Sequence, residues 1–320
     1  MLCQEEVEKL MKGCIKSKGE IKRRSLNQIS ALSNFALNIV FIIYVVLCVA
    51  PLLLVVAISL TDEKVILLKG YSFIPAKLSV KSYDYIISAG DTIWRAYGIS
   101  VFVTAVGTLL SLLIICMYAY PLSRQTFKYK SQFALLAYFT MIFGGGLVPW
   151  YMVYTHLIPI RHTVWILIVP YLVNAWYVLI MRTFFKTTVP ESVIESARMD
   201  GAGEFRTFFT IVLPLCRAGL ATIGLFCTLN YWNDWYLPLV FLTDEKLYNI
   251  QYLMYQTLIS IQYLTSGSAS FAQSTNALAD MPSEGARMAI AVISIGPIIL
   301  AYPFFQKYFV KGLTVGAVKG

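Results

Sequence analysis

From Phe35 to Leu60 no side chain carries a charge. The run of about 26 residues exceeds the roughly 20 that an α-helix needs to cross a bilayer core about 30 Å thick. Five further segments are long and apolar enough to do the same: Ala96–Leu122, Phe133–Thr155, Val164–Phe185, Ala218–Leu242 and Met288–Phe309. The expected fold is therefore an all-α polytopic membrane protein with six transmembrane helices. The composition agrees. Of 320 residues 58% are hydrophobic and 13% charged, against about 25% charged in a soluble domain. The first run is too long for a cleavable signal core and reads as an uncleaved span.

Lys and Arg set the orientation. Most of the 26 lie where a cytoplasmic N-terminus puts them inside: Lys9 to Arg24; Arg124, Lys128 and Lys130; Arg182, Lys186, Arg198, Arg206 and Arg217; Lys307, Lys311 and Lys319. Both termini are expected in the cytoplasm. The net charge of +9 then serves topology rather than a nucleic-acid partner. The domain reading follows: a basic cytoplasmic segment (1–34), a six-span domain (35–310) and a short cytoplasmic tail (311–320). Two outer loops, about 61–95 and 243–287, carry aromatics and mixed charge and read as folded caps. Cys3, Cys14, Cys48, Cys116, Cys216 and Cys227 form no CxxC pair and read as small buried hydrophobes.

One cytoplasmic loop, about 186–217, is polar and patterned. Thr188 to Glu191 fits a capping box, with Pro190 in the first helical turn. A helix from about Val189 to Asp200 follows, with Val189, Val193 and Ala197 on one face. Gly201 supplies a left-handed C-terminal position. A second helix begins near Glu204, with Phe205, Phe208, Phe209 and Val212 in one stripe, and Pro214 ends or kinks it. On these residues alone two readings stand: a re-entry hairpin without a partner, and a rigid knob presented to one.

The stretch ESARMDGAGEFRTFFTIVLP (195–214) resembles the EAA loop of permease subunits in binding-protein-dependent ABC importers. Glu195, Ala197, Gly201, Ile211, Leu213 and Pro214 match that pattern at its spacing. Asp200, Gly201 and Ala202 match the form found in carbohydrate permeases. Ser196 replaces the first alanine, and Ala218 stands where many relatives have proline. GGGLVPWYMVY (144–154) and IMRTFFKTTVPESVIESARMDGA (180–202) look most like permeases for complex oligosaccharides, the branch similar to the second membrane subunit of the maltose system. The resemblance implies a type I ABC importer permease fold with a cytoplasmic coupling helix seated in a cleft of an ATPase. It assigns ATPase coupling to Glu195, Ser196, Ala197, Asp200, Gly201, Ala202, Phe205, Phe209, Leu213 and Pro214. It implies a second permease subunit, two ATPase subunits, an extracytoplasmic sugar-binding protein and an oligosaccharide substrate, in a bacterial plasma membrane.

The chain has no G-x-x-x-x-G-K-[ST] stretch, so ATP and Mg are expected on the partner ATPase and no cofactor in this chain. His156 and His162 have no carboxylate or cysteine at ligand spacing, so no metal site is expected. No catalytic constellation is visible; the subunit is not expected to be an enzyme. Gly144–Gly146 interrupts the third span as a hinge or as a lining of the substrate path.

The fifth span carries NYWNDWY (230–236). Asn230 stands about 13 residues beyond Arg217, roughly 20 Å along a helix. Asn230, Asn233 and Asp234 would share one helix face, and an intramembrane carboxylate should face protein or water. Trp232, Trp235 and Tyr236 are candidates to stack on sugar rings, with Asn174, Trp176 and Tyr177 of the fourth span. An aromatic interfacial belt explains the same residues. The rival function is a stand-alone ion-coupled sugar carrier, which would need no docking helix and more ionisable groups in its spans.

Overall fold

The computed structural model describes residues 31–88, 91–265, 284–296, 299 and 303. Among them the chain is helical, without strands beyond an isolated antiparallel bridge between Thr61 and Leu78. Its contacts divide at Leu53/Leu54. The first unit contributes most of helix α1 (Ala31–Ser59), whose residues 32–49 are all exposed. A helix surface so largely apolar is suited to lipid or to another apolar surface, not to water. Cys48 lies on it, exposed, contrary to the expectation of a buried thiol, whereas Cys116, Cys216 and Cys227 are buried.

The second unit is organised around α4 (Asp91–Ser123), preceded by α2 (Glu63–Lys69) and α3 (Lys81–Ser88). Residues 61–88 of the expected outer loop thus hold two short helices rather than a bare linker. Asp62 caps α2 through Lys64 N at 3.1 Å and pairs with Lys77 Nζ at 3.3 Å. Along α4 the buried positions Ala96, Ser100, Val103, Gly107, Ser111, Ile115, Ala119 and Leu122 recur every three or four residues, so one face of the helix is covered. Five of these eight are Ala, Gly or Ser, which lets neighbouring backbones approach closely in a membrane bundle. Gly107 is one point of close approach. A Cβ there would lie 2.7 Å from Cζ of Tyr231.

Among the described residues two helices, Leu32–Ser59 and Asp91–Ser123, are long and apolar enough to cross a membrane, and up to five spans result if each bent pair counts as one. The third, fourth and fifth expected spans are thus not continuous helices. The third is α5 (Lys130–Ile142) followed, after Gly144–Gly146, by α6 (Leu147–Met152) and a π turn to Leu157, bent by 114°. Gly146 has φ 84°, open to glycine at little cost. The fourth is two short 3₁₀ turns containing Pro170, then α7 (Ala175–Thr188), bent by 54°. The loop that follows holds α8 (Glu191–Met199), α9 (Glu204–Thr207) and, after a π turn, α10 (Leu213–Leu215). The chain then turns 85° into α11 (Arg217–Trp232), which breaks at Asn233–Trp235 before α12 (Tyr236–Phe241). After it come α13 (Ile250–Thr265) and α14 (284–296). Half of the sixth expected span, Met288–Phe309, and the tail 311–320 lie outside the described residues, as do Cys3 and Cys14.

Two apolar clusters lie along α4. One joins Ile115, Cys116 and Leu122 to Met181 and Phe185 of α7, Ile194 of α8, Phe208, Val212 and Ile223. The other joins Val103 to Ile166–Ile168, Tyr231, Leu237, Phe241 and Tyr248. The patterned loop is anchored in the first cluster, and the break in α11–α12 rests on the second.

Candidate functional site

The loop forms a helix, a glycine turn and a second helix, with local chemistry that differs from the expected capping box. Thr188 closes α7, and Pro190 is the N-cap of α8, in extended conformation (φ −61°, ψ 140°) without a side-chain cap. Proline has no N–H to spend in a further turn of α7 and disfavours helix in the residue before it, so the chain breaks here. Ile194 and Ala197, with Val189 ahead of the helix, are the buried positions; Val193 is exposed. Helix α8 ends as expected. Gly201 takes φ 77°, Ala202 N donates to Ala197 O at 2.9 Å, and no atom stands within 4 Å of where a Gly201 Cβ would be. This six-to-one closure satisfies carbonyls that a helix end leaves open.

The second helix is also rearranged. Phe208–Val212 is a π turn, which rotates the phenylalanine stripe out of one face. Phe208 and Val212 are buried, while Phe205 is 72% and Phe209 48% exposed. Glu195, Ser196 and Asp200 are exposed too, and Met199 is 88% exposed. Ala202 and Leu213 are half-buried and Pro214 is exposed on α10. The loop thus offers an outward face of mixed acidic, small and apolar side chains on a base fixed in the core.

Ion pairs hold the two short helices. Arg198 donates to Glu204 Oε1 through Nε at 3.1 Å and Nη2 at 2.7 Å, spanning the glycine turn. These bonds hold the Glu204 carboxyl below the usual carboxylate range. Glu204 Oε2 also accepts from Tyr120 at 3.1 Å, and Arg124 donates to Glu191 Oε2 at 3.3 Å. Tyr120, Arg124, Glu191 and Glu204 were not among the expected site residues. Arg124 carried only a topological signal, as a basic residue just past a span.

At the α11–α12 break lies a cavity of about 420 Å³ lined by Tyr171, Tyr177, Phe226, Leu229, Asn230, Asn233, Asp234, Trp235 and Tyr236. Six of the expected residues, Tyr177, Asn230, Asn233, Asp234, Trp235 and Tyr236, meet here. They do so across a break rather than along one helix face, because α11 ends at Trp232. Asp234 is 7% exposed; its Oδ1 accepts from Tyr236 N (3.1 Å) and Leu237 N (3.2 Å), capping α12, and from Tyr171 Oη at 3.3 Å. The other expected residues are elsewhere. Trp232 is buried, with Nε1 donating to Ser294 O at 3.1 Å. Asn174 caps α7 through Trp176 N at 2.9 Å, and Trp176 is exposed outside the cavity. Trp235 stacks on Tyr255, ring centroids 4.6 Å apart. Phe226, Leu229 and Tyr171 complete the wall; sequence spacing had no means of bringing Tyr171 to the break. Among the described residues no group of three His, Cys, Asp or Glu is placed to hold a metal ion.

No family model matches the sequence. The chain is 35% identical, over 87% of its length and 95% of the relative's, to the polygalacturonan/rhamnogalacturonan transport system permease protein YtcP of Bacillus subtilis (strain 168). It is 29% identical, over 91% and 98%, to the arabinooligosaccharides transport system permease protein AraQ of Halalkalibacterium halodurans. Among solved structures it resembles a chain in the crystal structure of a bacterial ABC transporter involved in the import of the acidic polysaccharide alginate. The TM-score is 0.74 at 26% identity, covering 86% of this chain and 96% of that one.

Proposed function

This chain belongs to the permease subunits of ABC sugar import systems, and from that membership we propose that it forms half of an oligosaccharide pathway driven through the 186–217 loop by a separate ATPase. It is a multi-pass membrane transport subunit and not an enzyme. The rival ion-coupled carrier has no support among its relatives. Six spans, cytoplasmic termini and the division into 1–34, 35–310 and 311–320 complete the proposed topology. The proposed assembly adds a different permease subunit, two ATPase subunits carrying ATP and Mg, and an extracytoplasmic sugar-binding protein.

The observation that carries the reading is the outward face of α8. A two-turn helix, fixed below by Ile194 and Ala197, ends in a positive-φ glycine and exposes Glu195 and Met199. A rigid helix passes on a rigid-body displacement that a floppy loop would absorb. Glu195, Ser196, Asp200, Phe205 and Phe209 are the proposed contacts with the ATPase; Ala197, Gly201, Ala202, Leu213 and Pro214 shape the element that presents them. At the other site, the proposed sugar path runs by the cavity at the α11–α12 break. There Asn230 and Asn233 offer amides to hydroxyls, and Trp235, Tyr177 and Tyr236 offer ring faces. The buried Trp232 and the helix-capping Asn174 contribute by position, and Trp176 from outside the cavity.

The test is reversal of the docking charge. Glu195→Lys should leave the chain in the membrane and paired with its permease partner, yet lose the ATPase on co-purification or lose its sugar-stimulated hydrolysis. Normal transport with the ATPase bound as before would reduce the loop to a re-entry hairpin.

A further inference from the structure

Arg124 follows directly on α4 and is 4% exposed. Taking a guanidinium out of water is costly unless its donors are matched. Here they are only partly matched. Nη1 meets Glu191 Oε2 at 3.3 Å, and Cζ lies over the Tyr120 ring, 5.1 Å from its centre. Nε and Nη2 have no partner among the described residues. An arginine kept only to brace the fold would be expected to use its fork more fully, since bidentate pairing is what distinguishes it from lysine.

Its partners belong to the docking element. Glu191 stands in the first turn of α8 and Tyr120, one turn back on α4, reaches Glu204 of α9. Arg198 joins Glu204 back to α8. Both short helices are therefore tied to the C-terminal end of α4 by polar contacts, and Arg182 Nε adds α7 by donating to Leu122 O at 3.1 Å. Farther along α4, Ser111 Oγ lies 2.8 Å from Tyr231 Oη, and Gly107 packs on the same ring. Tyr231 is the neighbour of Asn230 at the cavity. The long helix thus touches the docking element at one end and the proposed sugar path midway.

We propose that Arg124 is a positioning residue for coupling: through Glu191 it joins the start of the docking helix to α4, so that displacement of α8 is delivered to α4 and along it to the Asn230–Asp234 break. The inference rests on the docking reading of α8. Spatial continuity alone is no proof of coupling, so the prediction concerns interaction between substitutions. The material is the whole complex, with the second permease and ATPase that co-purify.

In that complex Arg124→Met should keep the ATPase bound and its basal hydrolysis present. It should lower sugar-stimulated hydrolysis and uptake about tenfold or more, within the roughly 5–150-fold that coupling free energies span. Arg124→Lys, which keeps the charge opposite Glu191, should recover most of the loss. Glu191→Gln should reproduce it in part, and the double variant Arg124→Met/Glu191→Gln should be no worse than Arg124→Met alone. Where Arg124→Met fails to assemble, Glu191→Gln and Arg124→Lys decide, because a half-exposed glutamine and a retained cation leave the packing in place. Unchanged stimulation in Arg124→Met, or in Glu191→Gln where that variant decides, overturns the proposal; so does additive loss in the double variant. Gly201→Val separates the two claims. If it abolishes ATPase docking while the Arg124 and Glu191 variants transport normally, the docking reading stands and this proposal falls. If all are silent, both fall.

Discussion

Gly201 is where one residue decides the shape of the docking element. Its φ of 77° falls in the region that a β-branched residue enters only under strain, and no neighbour stands where a Cβ would go. Gly201→Val therefore acts through the backbone alone, at a cost of roughly 1–2 kcal/mol or more. Gly201→Asn should restore much of the function, since asparagine tolerates this conformation. Equal ATPase docking in Val, Asn and Gly forms would show that the turn does not matter. Glu204 gives a pH prediction. Arg198 hydrogen bonds hold its carboxyl below the usual range, so the stabilisation it supplies is complete above the unfolded glutamate pKa of about 4.3. It is lost only as pH falls through the lower folded value. Hydrogen-exchange protection at α8 and α9, corrected for the intrinsic pH dependence of amide exchange, should thus stay level between about pH 6 and 8 and fall only in stronger acid; loss of protection between about pH 7 and 6 would contradict this sign. The glycine was legible in the sequence because it sits at a helix end in a spaced motif. Arg124 was not, because topology alone asks for a cation at that end of a span and its partner Glu191 is 67 residues away.

At the scale of elements, α4 is held by close approach rather than by bulk. Gly107 meets the Tyr231 ring, whereas Gly98 on the same helix has open space at its Cβ position. Gly107→Ala should destabilise by about 1–3 kcal/mol through overpacking, read as a lower thermal midpoint in detergent. Gly98→Ala should be neutral or stabilising by roughly 0.5–1 kcal/mol, since alanine suits a helix interior better. Equal midpoints for the two variants would show that α4 and α11 do not pack through Gly107. Hydrophobic length marks where spans are expected, and it could not reveal that three of those segments are broken helices. Gly144–Gly146, Pro170 and the Asn233–Trp235 turn are short and flanked by apolar residues, so a window of 20 residues passes over them. The consequence is largest in 230–236. There a continuous helix was expected to carry three polar residues on one face, and Asp234 instead caps the next helix. The gathering of Asn230, Asn233 and Trp235 survives that change, because the break turns them into one cavity.

The whole molecule is a permease subunit of an ABC sugar import system, proposed to work only together with other chains. Single cysteines near Tyr129 and Glu204, placed after native cysteines are removed, should react only with membrane-permeant reagents if the proposed orientation holds. Labelling of position 204 by an impermeant reagent on intact cells would reverse it. The central claim is that a separate ATPase, and no ion gradient, drives sugar through this subunit. Its most direct measurement is oligosaccharide uptake into vesicles holding the purified complex with its sugar-binding protein. ATP should support uptake with proton and sodium gradients collapsed by ionophores, and Glu195→Lys should abolish it. Uptake that runs on an imposed ion gradient without ATP, and is indifferent to Glu195→Lys, would contradict the account.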